Sequence, residues 1–459
     1  MIGYSFLIII AMSLIAFYVG RSAGGSMYRT AGRQMHSLPG YHGALIAIWV
    51  GIPTAVLVLL WVALQDTVIV ELILASLPPN MTEGITSDRR SLLVAEIKNV
   101  ASGVIFGTPS PEILDAAERY RAWSQIADLA MLVVVLAVAI LAIVVIRRRL
   151  SPRFRARNAF ERTVSGLMIA CALVAILTTV GILVSLVYES SLFFARVPLT
   201  EFLFGTRWEP QIAIRPEQVA TSGAFGAIPV FTGTILIATI AMVVAIPIGL
   251  FSAIYLTEFA SNRVRGIVKP VMEILAGVPT VVYGFFAVLT VAPAMRDFGG
   301  YLGIAVSPNS ALAAGAVMGI MIVPFISSLS DDAINAVPSA MRDGSLALGA
   351  TRGETMTKVL LPAAIPGIVG GILLALSRAI GETMIVVMAA GIIASLTFNP
   401  IDSVTTVTVQ IVTLLIGDTA FDNPKTLSAF ALGLVLFICT LGLNVAAIRI
   451  VQKYREQYD

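Results

Sequence analysis

Long apolar segments alternate with short polar segments along the whole chain. Nine of the apolar segments approach about 20 residues, the length that an α-helix needs to cross the hydrocarbon core of a bilayer. They are Ile2–Gly20, Gly43–Leu64, Ile126–Ile146, Thr163–Tyr188, Phe231–Leu256, Pro270–Ala292, Asn309–Ser328, Ala363–Leu396 and Leu427–Ile448. This pattern predicts an all-α, polytopic membrane protein with about nine transmembrane helices.

Composition supports the membrane interpretation. Hydrophobic residues make up 58% of the 459 residues, charged residues make up 12%, and the mean hydropathy is +0.92. Soluble and disordered chains need far more polar residues than this. A transmembrane barrel would show short alternating strands. These three classes of protein are therefore excluded.

Few residues are available for metal or redox chemistry. Cys171 and Cys439 lie in apolar segments, and the only histidines are His36 and His42. We therefore expect no metal site, no disulfide and no catalytic Ser-His or Cys-His arrangement. The sequence also lacks the phosphate-binding motif Gly-x-x-x-x-Gly-Lys-Ser/Thr. We expect a protein that is not an enzyme and holds no cofactor of its own.

The positions of Lys and Arg predict the orientation. Alternate sides of the nine segments hold 19 and 10 of the 30 basic residues, and Arg378 lies inside a segment. The richer side, which includes the basic cluster between Arg147 and Arg162, is cytoplasmic by the positive-inside rule. We interpret this cluster as a contact with anionic lipid of the bilayer and not with nucleic acid. The N-terminus is then outside, the C-terminus is cytoplasmic, and residues 65–125 form an external loop.

The longest cytoplasmic loop, residues 331–362, is patterned as two short helices. Pro338 suits the start of the first helix, and Gly349 suits a left-handed residue at its end. Thr351 and Glu354 predict a capping box for a second helix that ends near Pro362. A structured elbow of this kind either transmits displacement to the spans or is a re-entrant connector, and the pattern alone does not separate these two hypotheses.

The same loop carries a resemblance to a known family. Asp343-Gly344-Ser345, Gly349 and Leu361-Pro362 resemble the EAA loop of ABC importer permeases. In that family a Glu-Ala-Ala triplet, a glycine four residues later and a downstream Leu-Pro build the helix that docks on the ATPase. Here Gly344 and Ser345 replace better helix formers. The resemblance implies that these six residues couple the chain to a separate ATPase.

Further motifs are similar to those of phosphate-specific permease subunits, the PstC family. They are Phe204-Gly205-Thr206 with Trp208 and Pro210, Phe225-Gly226-Ala227-Ile228-Pro229, Thr232-Gly233-Thr234, the run from Glu273 to Phe285, and Arg378-Ala379-Ile380-Gly381-Glu382-Thr383. The similarity extends from about Arg162 to the C-terminus. It implies a six-span type I ABC importer permease core in residues 161–459, in the bacterial cytoplasmic (inner) membrane. Residues 1–160 are then a three-span N-terminal extension.

The resemblance also implies a function and partners. The expected function is to form half of the translocation path of an ATP-driven importer, most specifically for inorganic phosphate. The expected partners are a homologous second permease subunit, an ATPase subunit dimer that binds the ATP, and an external phosphate-binding protein. The alternatives are a secondary transporter driven by an ion gradient, a scaffold for other subunits, and an ABC permease for another oxyanion such as sulfate or molybdate.

Two charges in the eighth apolar segment are candidates for the translocation path. Arg378 lies about 24 Å along a helix from Pro362, at 1.5 Å per residue, and therefore near mid-membrane. Glu382 lies one helical turn further, where the two charges can partly neutralise each other. An arginine fork suits an oxyanion such as phosphate. The alternative is a buried ion pair that only fixes helix packing. Glu273, near the cytoplasmic end of the sixth segment, is explained equally well by snorkelling or an interfacial ion pair.

The predicted orientation can be tested with single cysteines at Ser87 and Ser339, in a background that lacks the two native cysteines. An impermeant thiol reagent applied to intact cells is expected to label Ser87→Cys and to leave Ser339→Cys unlabelled until the membrane is opened. Labelling of Ser339→Cys alone would invert the topology.

Overall fold

The computed structural model describes residues 2–31, 35–82, 87–104, 109–149, 151, 153–210, 223–416 and 423–454. The chain divides into two compact units, Met1–Leu177 and Thr178–Asp459. The division falls inside one long helix, Ala156–Phe194. The predicted domain boundary at residue 160 lies near the start of that helix.

The first unit is helical. Its elements are α1 (Ile2–Ala31), α2 (Pro39–Ser76), α3 (Pro79–Thr82), α4 (Ser87–Ser102), α5 (Pro111–Arg149) and the first part of α6 (Ala156–Phe194). α1 and α2 approach closely at two glycines. A Cβ on Gly20 would lie 2.8 Å from the Cα of Gly43, and a Cβ on Gly43 would lie 2.6 Å from the carbonyl oxygen of Phe17. The two backbones therefore pack where side chains are absent.

The segment predicted as a loop at residues 65–125 is largely helical. α2 continues to Ser76, and α5 begins at Pro111, the position that the Ser110-Pro111 pattern predicts for a helix start. Ser110 Oγ accepts a hydrogen bond of 3.4 Å from the backbone N–H of Ile113. α2, α4 and α5 bury a common apolar cluster that includes Ile69, Ile73, Ile97, Ile113, Ala116 and Ala117. This cluster makes the segment a packed helical subdomain.

The second unit contains the remaining elements. They are α7 (Leu199–Phe204), β1 (Trp208–Glu209), β2 (Ala224–Phe225), α8 (Ile228–Ile254), π1 (Tyr255–Phe259), α9 (Asn262–Ala276), α10 (Thr280–Phe286), π2 (Ala287–Val291), α11 (Ala292–Tyr301), α12 (Ala311–Asn335), α13 (Ser339–Ala347), α14 (Arg352–Thr355), π3 (Met356–Leu360), α15 (Leu361–Ile380), α16 (Met384–Ala389), α17 (Val407–Leu415) and α18 (Pro424–Tyr454). The three π turns continue directly from one α-helix or join two of them, so they widen long helices locally.

An aromatic cluster organises the region before α8. Phe193, Phe202, Trp208 and Phe225 pack edge to face, with ring centroids 5.4–6.4 Å apart. The antiparallel pairing of β1 with β2 places Trp208 opposite Phe225. Trp208 Nε1 donates a hydrogen bond of 2.8 Å to Gln410 Oε1. The described residues of the turn-rich segment predicted at 189–230 thus pack around these rings, and its residues 211–222 lie outside the described residues.

Within the described residues, nine helices are long and apolar enough to cross a membrane, which confirms the predicted number. They are Ser5–Thr30, Pro39–Ser76, Pro111–Arg149, Ala156–Phe194, Ile228–Phe259, Thr280–Tyr301, Ala311–Asn335, Arg352–Ile380 and Pro424–Lys453. Each overlaps one predicted segment. The sixth and eighth differ from the prediction in their bounds.

The prediction of a single sixth span from Pro270 to Ala292 is wrong. α9 ends at Ala276, and the sixth span begins at Thr280 after Pro279, whose backbone is extended at φ −56° and ψ 135°. A proline has no N–H for the helix and biases the residue before it away from helical angles. Glu273 therefore belongs to α9, a separate helix with no buried residues, and not to a span.

The prediction of an eighth span from Ala363 to Leu396 is also wrong. One continuous helical segment runs from Arg352 to Ile380, and Gly381 ends it. The short α16 follows after the break, and the chain from Ala390 to Thr406 contains no helix or strand. The apolar segment therefore contains one long helix, a break and one short helix.

The core of the second unit depends on close contact between α8 and α12. A Cβ on Gly315 would lie 2.7 Å from the Cβ of Ile240, and a Cβ on Gly319 would lie 2.8 Å from the Cβ of Val244 and 2.9 Å from the carbonyl oxygen of Ala241. Because the last of these contacts is to backbone, a side-chain movement cannot relieve it. The missing side chains of α12 therefore set the distance between the two helices.

Gly319→Ala is expected to destabilise the protein by about 1–3 kcal/mol, because the added methyl group overpacks the interface. Gly166→Ala is the matched control, since a Cβ on Gly166 in α6 would have no neighbour within 4 Å. There the higher helix propensity of alanine is expected to stabilise the protein by up to about 1 kcal/mol. Thermal unfolding in detergent measures both variants. A decrease of the unfolding temperature in neither variant, or an equal decrease in both, would contradict the packing argument.

Candidate functional site

The predicted elbow is present between α12 and α15. α13 spans Ser339–Ala347, and Gly349 after it has φ +89°, a left-handed conformation that glycine adopts without a steric penalty. Thr351 Oγ1 accepts a 3.3 Å hydrogen bond from the N–H of Glu354, and Glu354 Oε2 accepts a 3.0 Å hydrogen bond from the N–H of Thr351. This reciprocal pair confirms the predicted capping box, and the elbow is a defined helix, turn and helix.

The expected end of the second elbow helix near Pro362 is wrong. α14, π3 and α15 follow one another without interruption, so the helix that starts at Arg352 continues to Ile380. In π3 the N–H of Leu361 bonds to the carbonyl of Met356, five residues earlier. The wider turn accommodates Pro362, which has no N–H of its own to donate. The elbow is therefore joined to the eighth span by one continuous helix, and Leu361 and Pro362 lie inside it.

The face of the elbow that carries the EAA-like residues is open. Asp343 and Gly344 are exposed, and Leu348 at the end of α13 is 91% exposed. Ser345 points the other way, since its Oγ lies 3.0 Å from Thr355 Oγ1 of α14. The exposed face of α13 thus presents the carboxylate of Asp343 and the side chain of Leu348, while Ser345 on the other face contacts α14.

A buried carboxylate beside the elbow is a feature that the sequence analysis missed. Asp331 in α12 has a side chain only 7% exposed, and it accepts hydrogen bonds from Thr257 Oγ1 at 2.6 Å and from Asn335 Nδ2 at 3.0 Å. Its ion-pair partners are Arg265 Nη2 at 2.9 Å and Lys269 Nζ at 2.8 Å, both on α9. Hydrogen bonding to this carboxylate raises the pKa of Lys269 above its ordinary value. Asp331 therefore attaches α9 to α12 and π1.

A cavity of about 220 Å³ lies next to this cluster. It is lined by Leu256, Lys269, Met272, Glu273, Ala276, Pro324, Phe325, Ser327, Ser328 and Asp331. One wall is the ring of Phe325, and the guanidinium carbon of Arg378 lies 5.7 Å from the centroid of that ring. A guanidinium at this distance from an aromatic face is attracted to it. Phe325 of α12 therefore helps to position the guanidinium of Arg378.

The predicted arrangement of Arg378 and Glu382 on one helix face is wrong. α15 ends at Ile380, so Glu382 follows the helix and is not one turn further along it. No salt bridge joins the two side chains in the described part of the chain. Glu382 Oε1 instead accepts hydrogen bonds from the backbone N–H groups of Met384 at 3.1 Å and Ile385 at 3.4 Å.

Each of these charges lies at a helix end of the favourable sign. Arg378 lies in the last turn of α15, where the backbone carbonyls carry partial negative charge. Glu382 lies two residues before the start of α16, and its carboxylate faces the N–H groups of the first turn, which carry partial positive charge. The side chain of Arg378 is exposed and that of Glu382 is half-buried. The partial charges of the helix ends therefore stabilise Arg378 and Glu382, whereas the sequence pattern predicted that the two side chains stabilise each other as an ion pair.

Among the residues that the structure describes, no group of three or more His, Cys, Asp or Glu side chains could hold a metal ion. The site consists of an exposed elbow, a buried Asp331 cluster and two separated charges at a helix break.

The chain is similar to known membrane transport proteins. The family described as "Phosphate ATP-binding cassette transporter" matches residues 6–178, and the family described as "Binding-protein-dependent transport system inner membrane component" matches residues 245–456. The probable ABC transporter permease protein YqgH of Bacillus subtilis (strain 168) is 34% identical over 297 residues, which cover 64% of this chain and 92% of that protein.

Two relatives carry phosphate in their names. The phosphate transport system permease protein PstC 1 of Mycobacterium tuberculosis is 32% identical over 281 residues, with 55% of this chain and 81% of the relative covered. The probable phosphate transport system permease protein PstC of Methanocaldococcus jannaschii is 32% identical over 236 residues, with 49% and 74% covered. Similarity at this level extends across most of each relative.

Asp331→Asn is expected to destabilise the protein by about 1.5–3 kcal/mol, the range for hydrogen bonds to charged groups, because Arg265 and Lys269 lose their counter-charge. Asp332→Asn is the matched control, since Asp332 is the adjacent residue and is exposed. Thermal unfolding in detergent, followed by tryptophan fluorescence, compares the two variants. Equal effects would show that the buried cluster contributes no more than a surface carboxylate.

Proposed function

Because the chain belongs to the family of binding-protein-dependent transport system inner membrane components, the permeases of ABC transporters, we propose that it forms half of the translocation path of an ATP-driven importer for inorganic phosphate. The N-terminal match to a phosphate transporter family and the names of the relatives support this substrate class. The motifs at Glu273–Phe285 and Arg378–Thr383 support it independently of the N-terminal match. The nine helices of the described residues that are long and apolar enough to cross a membrane support a multi-pass membrane subunit.

The observation that carries the proposal is the structured elbow and its continuous connection to a span. α13 presents an exposed surface, the turn at Gly349 has a fixed left-handed geometry, and an unbroken helix connects Arg352 to Ile380. A displacement applied to α13 is therefore passed to a span and is not absorbed by a flexible loop. The sequence contains no Gly-x-x-x-x-Gly-Lys-Ser/Thr motif, so ATP is bound by a partner.

The proposal includes an assembly. An ATPase subunit dimer docks on Asp343, Gly344 and Ser345 of this chain and on the equivalent elbow of a homologous second permease. An external binding protein delivers phosphate. The N-terminus and residues 65–125 lie outside, and the elbow and the C-terminus lie in the cytoplasm, as the basic residues indicate.

Arg378 and Glu382 are proposed as residues of the translocation path. Their separation supports this role, because the guanidinium of Arg378 is not paired with Glu382 and is available to a passing anion, while Glu382 fixes the start of α16 at the helix break. Arg378 is exposed and presents a guanidinium fork that suits a phosphate oxyanion.

Gly349→Val is expected to leave membrane insertion intact and to abolish phosphate uptake, because a side chain in the left-handed region costs about 1–2 kcal/mol and distorts the turn. Gly353→Val is the matched control, since Gly353 lies in α14 with open space around it. Uptake of labelled phosphate is measured with ATP in vesicles that contain the chain and its copurified partners. Normal ATP-driven uptake by Gly349→Val would contradict the coupling role. Uptake that follows an ion gradient and needs no ATP would favour a secondary transporter.

Arg378→Gln and Glu382→Gln are each expected to assemble in near-normal amounts and to transport phosphate at least about ten-fold more slowly. Neither substitution removes a salt-bridge partner from the other charge, because the two side chains form no salt bridge with each other, and glutamine keeps an acceptor for the N–H of Met384. Arg296→Gln, an exposed arginine of α11, is the control. The measurements are the amount of assembled complex and the uptake rate. A loss of complex in proportion to the loss of uptake would assign both residues to packing.

A further inference from the structure

A second contact holds the elbow, and it involves a residue next to the EAA-like triplet. Arg342 in α13 places its Nη2 3.0 Å from Oε2 of Glu258. Glu258 belongs to π1, at the end of α8, and its side chain is 7% exposed, while that of Arg342 is 32% exposed. The pair therefore joins the elbow to a span that is distant from it in sequence.

π1 is a junction of two polar contacts. Thr257 and Glu258 are consecutive, and Thr257 Oγ1 donates a 2.6 Å hydrogen bond to Asp331 of α12. Asp331 in turn binds Arg265 and Lys269 of α9. A continuous chain of polar contacts thus runs from α13 through π1 to α12 and α9, and α9 leads into the break before the sixth span.

Hydrogen bonding around this ion pair is incomplete. In the described part of the chain, neither Arg342 Nε nor Glu258 Oε2 has a hydrogen-bond partner, although the two groups are in ionic contact. A partly buried pair with incomplete hydrogen bonding recovers its desolvation cost poorly, and well-packed apolar residues can stabilise a fold equally well. The pair is therefore better suited to fixing the position of one helix against another than to adding stability.

Glu258 lies in a π turn, where a helix is irregular. A π turn interrupts the regular hydrogen-bond ladder and is a place where a helix changes its course. Glu258 lies in the second half of π1, beyond which the N–H of Ala260 bonds to the carbonyl of Tyr255. A force on the Glu258 side chain therefore acts on the least regular part of the fifth span.

We propose that the ion pair between Arg342 and Glu258 is the link through which movement of the elbow displaces the cytoplasmic end of α8. Arg342 and Glu258 are thus positioning residues for transport, and this role rests on the proposed function. The contact of Ser345 with Thr355 joins α13 to the helix that already follows it in the chain. The ion pair carries the same movement to a different span, so one displacement reaches two spans together.

The test uses the complete complex with its ATPase and binding protein in proteoliposomes. Arg342→Gln, Glu258→Gln and the charge exchange Arg342→Glu with Glu258→Arg are compared with the unaltered chain. Lys358→Gln is the control, because Lys358 belongs to the same segment but forms an exposed pair, with its side chain 72% exposed. The readouts are the amount of assembled complex, the ATPase rate and the phosphate imported per ATP hydrolysed.

Both single variants are expected to assemble and to hydrolyse ATP, yet to import at least about five-fold less phosphate per ATP. The charge exchange is expected to restore most of this ratio, and Lys358→Gln is expected to leave it unchanged. An unchanged ratio in the single variants would overturn the link. A loss of complex that accounts for the whole loss of import would also overturn the link, and so would a failure of the single variants to assemble, because either result shows that the pair is purely structural.

If the unaltered complex imports no phosphate, the proposed function fails and the link fails with it. Import by the unaltered complex with an unchanged ratio in the variants refutes the link alone.

Discussion

Hydrocarbon offers no hydrogen-bond partner to a peptide group, and this constraint decides where the chain can leave a helix. At the breaks after α9 and after α15, side chains add hydrogen bonds to backbone groups. After α9, the hydroxyl of Tyr283 donates a 2.8 Å hydrogen bond to the carbonyl of Leu275. After α15, the carboxylate of Glu382 accepts from two N–H groups of α16, and Thr408 Oγ1 donates a 2.9 Å hydrogen bond to the Glu382 carbonyl. Specific side-chain hydrogen bonds therefore stabilise both of these breaks.

The same requirement explains the polar residues around the non-helical segment from Ala390 to Thr406. Gln410 Nε2 donates a 2.6 Å hydrogen bond to the carbonyl of Ile392, while its Oε1 accepts from Trp208. Ser403 Oγ donates a 2.7 Å hydrogen bond to the carbonyl of Ala390. One buried glutamine thus supports an irregular segment and ties it to the aromatic cluster. Asp331 has the corresponding role beside π1, where it gathers donors from three elements.

The number of spans and the start of the elbow were predictable because both depend on local sequence. Apolar length counts spans, the Thr351 and Glu354 spacing determines a capping box, and Gly349 supplies the left-handed residue. The breaks were not predictable from hydropathy, since α15 and α16 are both apolar and the average over them shows no interruption. Pro362 was assigned to a helix end because a local rule cannot foresee the π turn that accommodates it. The predicted arrangement of Arg378 and Glu382 was wrong for the same reason, because a spacing of four residues places two side chains on one helix face only if the helix continues. Asp331 carried a usable signal, an acidic residue next to an apolar span, but its partners on α9 come from tertiary packing.

The length of the helices in the first unit has a geometric consequence. α2 has 38 residues and α5 has 39, so each measures nearly 60 Å at 1.5 Å per residue, about twice the hydrocarbon thickness. Each is one continuous helix, and Gln65 donates a 3.1 Å hydrogen bond to Asp128 across the two. In each helix, the segment within the hydrocarbon therefore determines which way the side chains of the segment beyond it face. Inserting one residue into α5 near Asp128 would turn everything beyond it by about 100°, moving the faces of Ile113 and Ala117 away from α2 and α4. Evolution can thus lengthen this projection only in steps that preserve the phase of the helix.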